Sequence, residues 1–307
     1  MAKSNKVAIV TGSATGLGAS CALDLAERGW NVVINYTKSK KEADATYAAV
    51  KAKGVDAILV QADMGQDADC KKLASETLKK WGRIDGLVNN AGTTKFQSQG
   101  DLDGVSPEDF DRILRVNVTG PYMMSRAVWP IMKKQWDEKQ ERGSIVNISS
   151  IAGVMGVGTS IPYAASKGAL NTLTLSLARW FGPAVRVNTV CPGFIQTRWL
   201  LGALGQDDYE RLKQAQEQTT PLRQAGTPEQ MAEAVADHGV FGRVTPSQKQ
   251  AMVDALHRRH RTDVRVRMRH QPIHARVLVG EPIAHPRLVT KQVFGRRVGI
   301  DVGLWHK

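Results

Sequence analysis

Three side chains carry chemistry that can be read directly: the hydroxyl of Ser150, the phenol of Tyr163 and the ammonium of Lys167. Residues 144–149 (Ser-Ile-Val-Asn-Ile-Ser) are a short β-branched run entered through Gly143, the pattern of a buried strand. Pro162 suits the first turn of a helix, where its missing N–H has no intrahelical partner to lose. Residues from 163 to about 180 then carry the small and apolar side chains of a buried helix. Tyr163 and Lys167 are four residues apart and leave the same helical face. A phenol, an ammonium and a strand-end hydroxyl can therefore meet at one point, an arrangement suited to moving a proton to or from a carbonyl or alcohol oxygen. Taken alone, Tyr-x-x-x-Lys also arises by chance, so its meaning depends on the elements that must position it.

The chain has 307 residues, enough for one large domain or two small ones with ample core. No apolar run reaches membrane-spanning length, and residues 1–6 lead into a strand-like run rather than a signal segment. Cys21, Cys70 and Cys191 are odd in number and scattered, which points to a reduced, cytoplasmic protein with neither a disulfide framework nor a metal site. The net charge of +13 is uneven. Residues 1–236 carry 28 Lys/Arg against 24 Asp/Glu, whereas residues 237–307 carry 14 against 5 and all seven histidines. Composition thus divides the chain near Asp237 into a main domain, 1–236, and an atypical Arg/His-rich tail, 237–307.

Val7-Ala8-Ile9-Val10 reads as a strand, followed by Thr11-Gly12-Ser13-Ala14-Thr15-Gly16-Leu17-Gly18 and a helix from about 19 to 28. Glycines after a strand let backbone approach a pyrophosphate, and the next helix offers N–H groups and a positive dipole end. Gly12, Ser13, Thr15, Gly16, Leu17 and Gly18 are accordingly candidate dinucleotide contacts, although an ordinary glycine turn has the same composition. Residues 31–36 read as the second strand. An acid after it would bind the ribose 2′-hydroxyl of NAD, but Thr37-Lys38-Ser39-Lys40-Lys41 follows instead. That basic, hydroxylated turn suits the 2′-phosphate of NADP, with NAD the alternative. Helices near 40–53 and 67–81 alternate with strands at 57–60 and 86–88. Such alternation predicts a doubly wound α/β fold, a Rossmann-like parallel sheet covered on both faces. Asp63, past the third strand, is placed to contact adenine or to cap a helix.

Thr11-Gly12…Gly16-x-Gly18, Asn89-Asn90-Ala91-Gly92, Asn117, Ser150, Tyr163-x-x-x-Lys167 and Pro192-Gly193 follow one another in a definite order. In order and spacing this set resembles the short-chain dehydrogenases/reductases, most closely the 3-oxoacyl-(acyl-carrier-protein) reductase type. The likeness covers residues 6 to about 236. It implies an NADP-dependent oxidoreductase acting on a small-molecule carbonyl/alcohol pair. Tyr163 would be the general acid, Lys167 would lower the phenol pKa and bond the nicotinamide ribose, and Ser150 would hold the substrate oxygen. Asn117 would hold a water that carries protons to Lys167. Asn90, Ala91 and Gly92 would shape the cofactor floor, and Pro192, Gly193, Ile195 and Thr197 would border the nicotinamide carboxamide. Thr15 stands where many NADP-using relatives have an arginine, so phosphate binding would rest on Thr37, Lys38 and Ser39. Relatives are often homo-oligomers, one interface of which uses the closing strand and the helix before it. Residues 133–142, long and highly charged, read as a helix end running into an exposed loop without function.

Residues 198–225 would form a substrate lid, with Trp199, Leu200, Leu201 and Leu204 apolar and a helix starting at Gln206. From Thr227 a capped helix begins, with Pro228 next and Gln230 three residues on. The family pattern then fails. Residues 264–268 alternate like an edge strand and 275–279 could be another, yet neither matches the expected closing element. Residues from about 236 onward are therefore expected to come from a displaced reading frame. Codons that encode residues 243–248 can read Gly-Asp-Ala-Val-Thr in a shifted frame, close to the family pattern; a genuine divergent extension is the alternative, and the gene sequence decides between them. A displaced frame would leave the sheet without its native closing strand and the tail poorly packed. Two rival functions carry less: a non-catalytic cofactor-binding regulator has no need of a poised phenol, and nucleic-acid binding by the tail lacks Lys runs, interleaved aromatics or a known module.

Overall fold

Val7–Val10 forms β1, and all four residues are buried because helices cover both faces of the sheet around it. The computed structural model describes residues 6–220, 223–240 and 277–279. They belong to one of two compact units of the chain, Met1–Gly242 with Ile273–Gly280. After β1 come α1 (Gly16–Glu27), β2 (Asn31–Tyr36), α2 (Lys40–Ala52), β3 (Ala57–Gln61), α3 (Asp67–Trp81) and β4 (Gly86–Asn89). Then follow α4 (Pro107–Leu114), α5 (Gly120–Lys139), β5 (Gly143–Ile148), α6 (Ala152–Met155), α7 (Ile161–Phe181) and β6 (Val185–Cys191). The lid segment holds α8 (Arg198–Leu204) and α9 (Gln206–Thr219), and α10 (Pro228–Ala234) and β7 (Val277–Val279) complete the described elements.

The sheet runs β3-β2-β1-β4-β5-β6-β7 with every pairing parallel. Val7 pairs with Asn31 on one side of β1, and Ala8 pairs with Gly86 on the other. The chain therefore winds outward in both directions from the β1/β4 junction. A crevice opens there at the carboxyl ends of the strands, where open α/β sheets take ligands. Alternate strand residues feed two cores. Ala8, Val10 and Ile34 pack with Leu25 of α1 and Val50 of α2. Ile9, Val33 and Ile145 pack on the other face with Leu73 of α3 and Met132 of α5.

Several local signals produce the expected ends. The Ser160 hydroxyl accepts from the Tyr163 N–H at 3.4 Å with Pro162 in the first turn, so α7 starts two residues before Tyr163. Thr227 and Gln230 form a reciprocal capping box at α10. One helix end is less regular: α4 ends at Leu114, and Arg115–Thr119 is a wider π turn leading into α5. Such turns recur at functional sites, and this one contains Asn117. The charged segment after α5 is not wholly solvated, since Glu141 pairs with Arg83 at 2.9 Å and the Arg142 guanidinium lies over the Trp136 ring.

Beyond Ala234 the helix loosens into another π turn, Val235–Val240. Asp237 pairs with Arg28 and Glu229 accepts from Ser20, which ties this end to α1. Of the two tail strands considered from sequence, the second forms in part. Val277–Val279 pairs in parallel with Thr189–Cys191 and lies in the closing position at the sheet edge. The first, residues 264–268, and most of the segment assigned to a displaced frame lie outside the described residues. No helix among the described residues is long and apolar enough to cross a membrane.

Candidate active site

The glycine loop between β1 and α1 is held from three directions. Asn35, buried on β2, accepts from the Gly12 N–H at 2.9 Å and donates to the carbonyls of Val60 and Ala62. Asn90 donates to the carbonyls of Thr11 and Gly12, each at 3.0 Å, and the Ala91 N–H donates to the Thr11 hydroxyl. Gly12 has φ +62°, and a Cβ there would stand 2.9 Å from the Ala91 Cα. A Cβ on Gly18 would stand 2.4 Å from the Gly12 carbonyl oxygen. Only glycine fits either place.

Asn90 and Ala91 therefore brace the loop, and so does Ser13. The buried Ser13 hydroxyl donates to the Val10 carbonyl at 2.7 Å and accepts from the Asn35 N–H, so its side chain is turned inward rather than toward a ligand. Thr15 is exposed at the α1 N-cap and makes no capping bond. Leu17 packs partly against the core. Asp63 does not cap α3, which starts at Asp67; its carboxylate closes a tight turn on the Gly65 N–H at 2.8 Å. Thr37, Lys38 and Ser39 are all exposed, just before α2.

Ser150 follows β5, and Tyr163 and Lys167 project from α7. The Lys167 ammonium is buried, donates to the Ile148 carbonyl at 2.8 Å and lies 5.6 Å from the centroid of the Tyr163 ring. Burial pushes its pKa down from 10.5 to about 8. The phenol departs from expectation. Burial pushes Tyr163 above its ordinary value, and hydrogen bonding with Ser150 opposes only part of that rise. The lowering expected from Lys167 does not set the direction: desolvation of a phenolate is the largest effect, and what opposes it is the hydrogen bond with Ser150. At neutral pH Tyr163 is a protonated donor.

Asn117 lies beside this group with three of the four hydrogen-bonding positions of its amide taken. Its Oδ1 accepts from the Thr93 N–H at 2.8 Å, and its Nδ2 donates to the Thr93 carbonyl and the Ser166 hydroxyl. A water at Asn117 would therefore need its backbone carbonyl or the remaining lone pair of Oδ1. Pro192 accepts from the Ile151 N–H at 3.0 Å, binding the end of β6 to the segment after Ser150. Gly193 is exposed, Ile195 is buried and bridges Gly226, and Thr197 stands at the N-cap position of α8 without a capping bond, opposite Gly16.

A sequence profile of the short chain dehydrogenase family matches residues 6–203. The chain belongs to that family. It is 42% identical over 229 residues to ketoacyl reductase 2 of the granaticin polyketide synthase of Streptomyces violaceoruber, covering 75% of this chain and 87% of the relative. It is 36% identical to a 3-oxoacyl-(acyl-carrier-protein) reductase of Staphylococcus epidermidis, over 76% of this chain and 90% of that one. The structure of a short-chain dehydrogenase/reductase from Burkholderia xenovorans superposes with a TM-score of 0.69 at 37% identity, covering 77% of this chain and 93% of the other. This short-chain dehydrogenase is thus an oxidoreductase acting on a carbonyl/alcohol pair.

The residues of this short-chain dehydrogenase fit the nicotinamide dinucleotide that the family binds. The N-terminus of α1 has no side-chain cap, so its N–H groups remain available to an anion. A Cβ on Gly92 would fall 3.7 Å from the Lys167 Nζ and 3.4 Å from the Asn117 Oδ1, so glycine there leaves space in front of the ammonium. Sequence reasoning missed two parts of the short-chain dehydrogenase site. One is Asn35, whose signal was an amide inside a β-branched run. The other is Phe96, whose ring lies 5.4 Å from that of Trp199 and gave no local sign of it.

Proposed function

We propose that this short-chain dehydrogenase reduces a 3-oxoacyl thioester or a related ketone to the alcohol, uses NADP, and takes its proton from Tyr163. The observation that carries the reading is a half-buried, protonated phenol with Ser150 and Lys167 at the carboxyl end of β5, on the same edge of the sheet as an uncapped helix N-terminus. A bound nicotinamide supplies the hydride. Ser150 orients the carbonyl oxygen, and the phenol gives that oxygen its proton as negative charge develops. The Lys167 ammonium, fixed on the Ile148 carbonyl, faces the space at Gly92 where ribose hydroxyls would lie, and it steadies charge left on the phenol. Once the phenol has given up its proton, Lys167 and then a water at Asn117 restore it. The names of the Streptomyces and Staphylococcus relatives, both ketoacyl reductases, support the substrate class.

NADP is preferred over NAD because the turn after β2 presents Thr37, Lys38 and Ser39 in place of an acid. The exposed N-terminus of α2, also without a side-chain cap at Ser39, adds to the pull on a 2′-phosphate. Wild-type enzyme should show a markedly lower KM for NADPH than for NADH. Thr37→Asp places a carboxylate beside that phosphate and should raise the NADPH KM about tenfold, a cost of roughly 1.4 kcal/mol, with the NADH value little changed. Steady-state kinetics with both cofactors checks this; equal wild-type KM values would count against NADP.

A further inference from the structure

We infer that Trp199 selects substrates carrying a flat conjugated ring next to the reacting carbonyl, an inference that rests on the carbonyl-reducing function proposed above. Trp199 stands on α8, directly after the Thr197 end of the cofactor crevice. Its ring centroid is 6.5 Å from that of Tyr163 at an interplanar angle of 46°, and 5.4 Å from that of Phe96 at 60°. Both separations lie where ring edges and faces attract one another. The indole is nevertheless 47% exposed, so a large aromatic surface beside the proton donor is only partly covered by the chain.

It does not stand alone. Of the ten exposed large hydrophobic residues among those described, six are Trp199, Leu102, Val154, Met155, Val157 and Ile161, carried by α8, by the 97–104 segment and by the 154–161 turn. The Gln97 N–H donates to the Thr159 carbonyl at 2.9 Å, and the Gln99 amide donates to the Gly156 carbonyl at 3.1 Å, joining two of those segments. A Cβ on Gly158 would stand 3.5 Å from the Tyr163 ring, which puts the 154–161 turn against the phenol. Scattered apolar residues need no explanation, but a grouped apolar rim marks a binding surface.

The rim rewards any apolar group, whereas Trp199 with Phe96 rewards a ring. An aliphatic chain gains only from leaving water. A planar ring also gains quadrupole contacts with two tilted aromatic faces, worth up to about tenfold in affinity per ring pair. The lid beneath is anchored for this task. Phe194 packs on the buried Tyr209 of α9 at 5.7 Å, and Ile195 bridges Gly226, so α8 is held at both ends.

The test uses the full chain with NADPH and two ketones of equal carbon number, methyl naphthyl ketone and methyl decyl ketone. Wild type should favour the naphthyl ketone in kcat/KM by about tenfold or more. Trp199→Ala should lower kcat/KM on both ketones, mainly through KM, but by about tenfold more on the naphthyl ketone, so that the preference for the ring disappears. Trp199→Phe should keep most of the preference, which separates the ring contact from damage to the fold. Equal wild-type values for the two ketones, or an equal loss on both in Trp199→Ala, overturns the inference. Reduction of a 3-oxoacyl thioester but of neither ketone also overturns it and leaves the carbonyl-reducing function standing. Reduction of none of the three removes both.

Discussion

Replacing Tyr163 with Phe is expected to slow hydride transfer to a ketone about a hundred- to ten-thousand-fold, the usual worth of a positioned general acid. NADPH affinity should stay close to wild type. The substitution deletes one oxygen and keeps the ring that contacts Trp199, and the cap of α7 depends on Ser160 and backbone rather than on the phenol. Burial raises the phenol above its ordinary value, so the acid stays protonated from neutral pH well into the alkaline range. Reduction should therefore hold a plateau through neutral pH, while alcohol oxidation, which needs the phenolate, should rise with pH. Single-turnover absorbance at the nicotinamide band, with cofactor binding followed by fluorescence, separates chemistry from affinity. Wild-type turnover in the Phe variant would remove Tyr163 from its role.

That prediction rests on residues whose positions were legible locally. The bounds of β2, Asn31–Tyr36, follow from one β-branched run, and α3 runs over the expected 67–81 because acids open it and Gly82, at φ +71°, ends it. Tyr163 and Lys167 share a face through helical spacing alone, and Thr227 with Gln230 announces its helix by side-chain type. What was not legible depends on segments distant in sequence. Asn35 joins the loops after β1 and β3, and Phe96 meets Trp199 across the crevice, so neither contact has a local pattern. The inward turn of Ser13 is of the same kind, since its partners are Val10 and Asn35. The direction of the Tyr163 shift needed burial, which no spacing rule supplies; the ammonium was visible in the sequence, the desolvation was not. The π turn at Arg115–Thr119 likewise arises where α4 meets α5 over the site.

Lys167 yields the second large effect, in which stability and activity move in opposite directions. Its ammonium is buried and its one short bond is to the Ile148 carbonyl, so folding must desolvate a charge. The folded pKa is about 8 against an unfolded value of 10.5. Between those values the unfolded chain binds more protons, so wild-type stability rises with pH across that window. Below pH 8 the penalty is fully present, on the order of 3 kcal/mol at about 1.4 kcal/mol per unit. Lys167→Met keeps the length of the side chain and removes the charge, though it leaves the Ile148 carbonyl without its donor at a cost of about 1–2 kcal/mol. The variant should therefore be more stable than wild type by roughly 1–2 kcal/mol near pH 7, and that advantage should vanish or reverse near the upper end of the window. Carbonyl reduction should fall by at least about a hundredfold at either pH, because the phenol loses the positive charge that steadies it as its proton departs. Paired urea melts of wild type and Lys167→Met at the two pH values read the stability difference. A variant destabilised by the same amount at both would show that the lysine is held as a favourable partner, and that its burial is not the strain on which its reactivity depends.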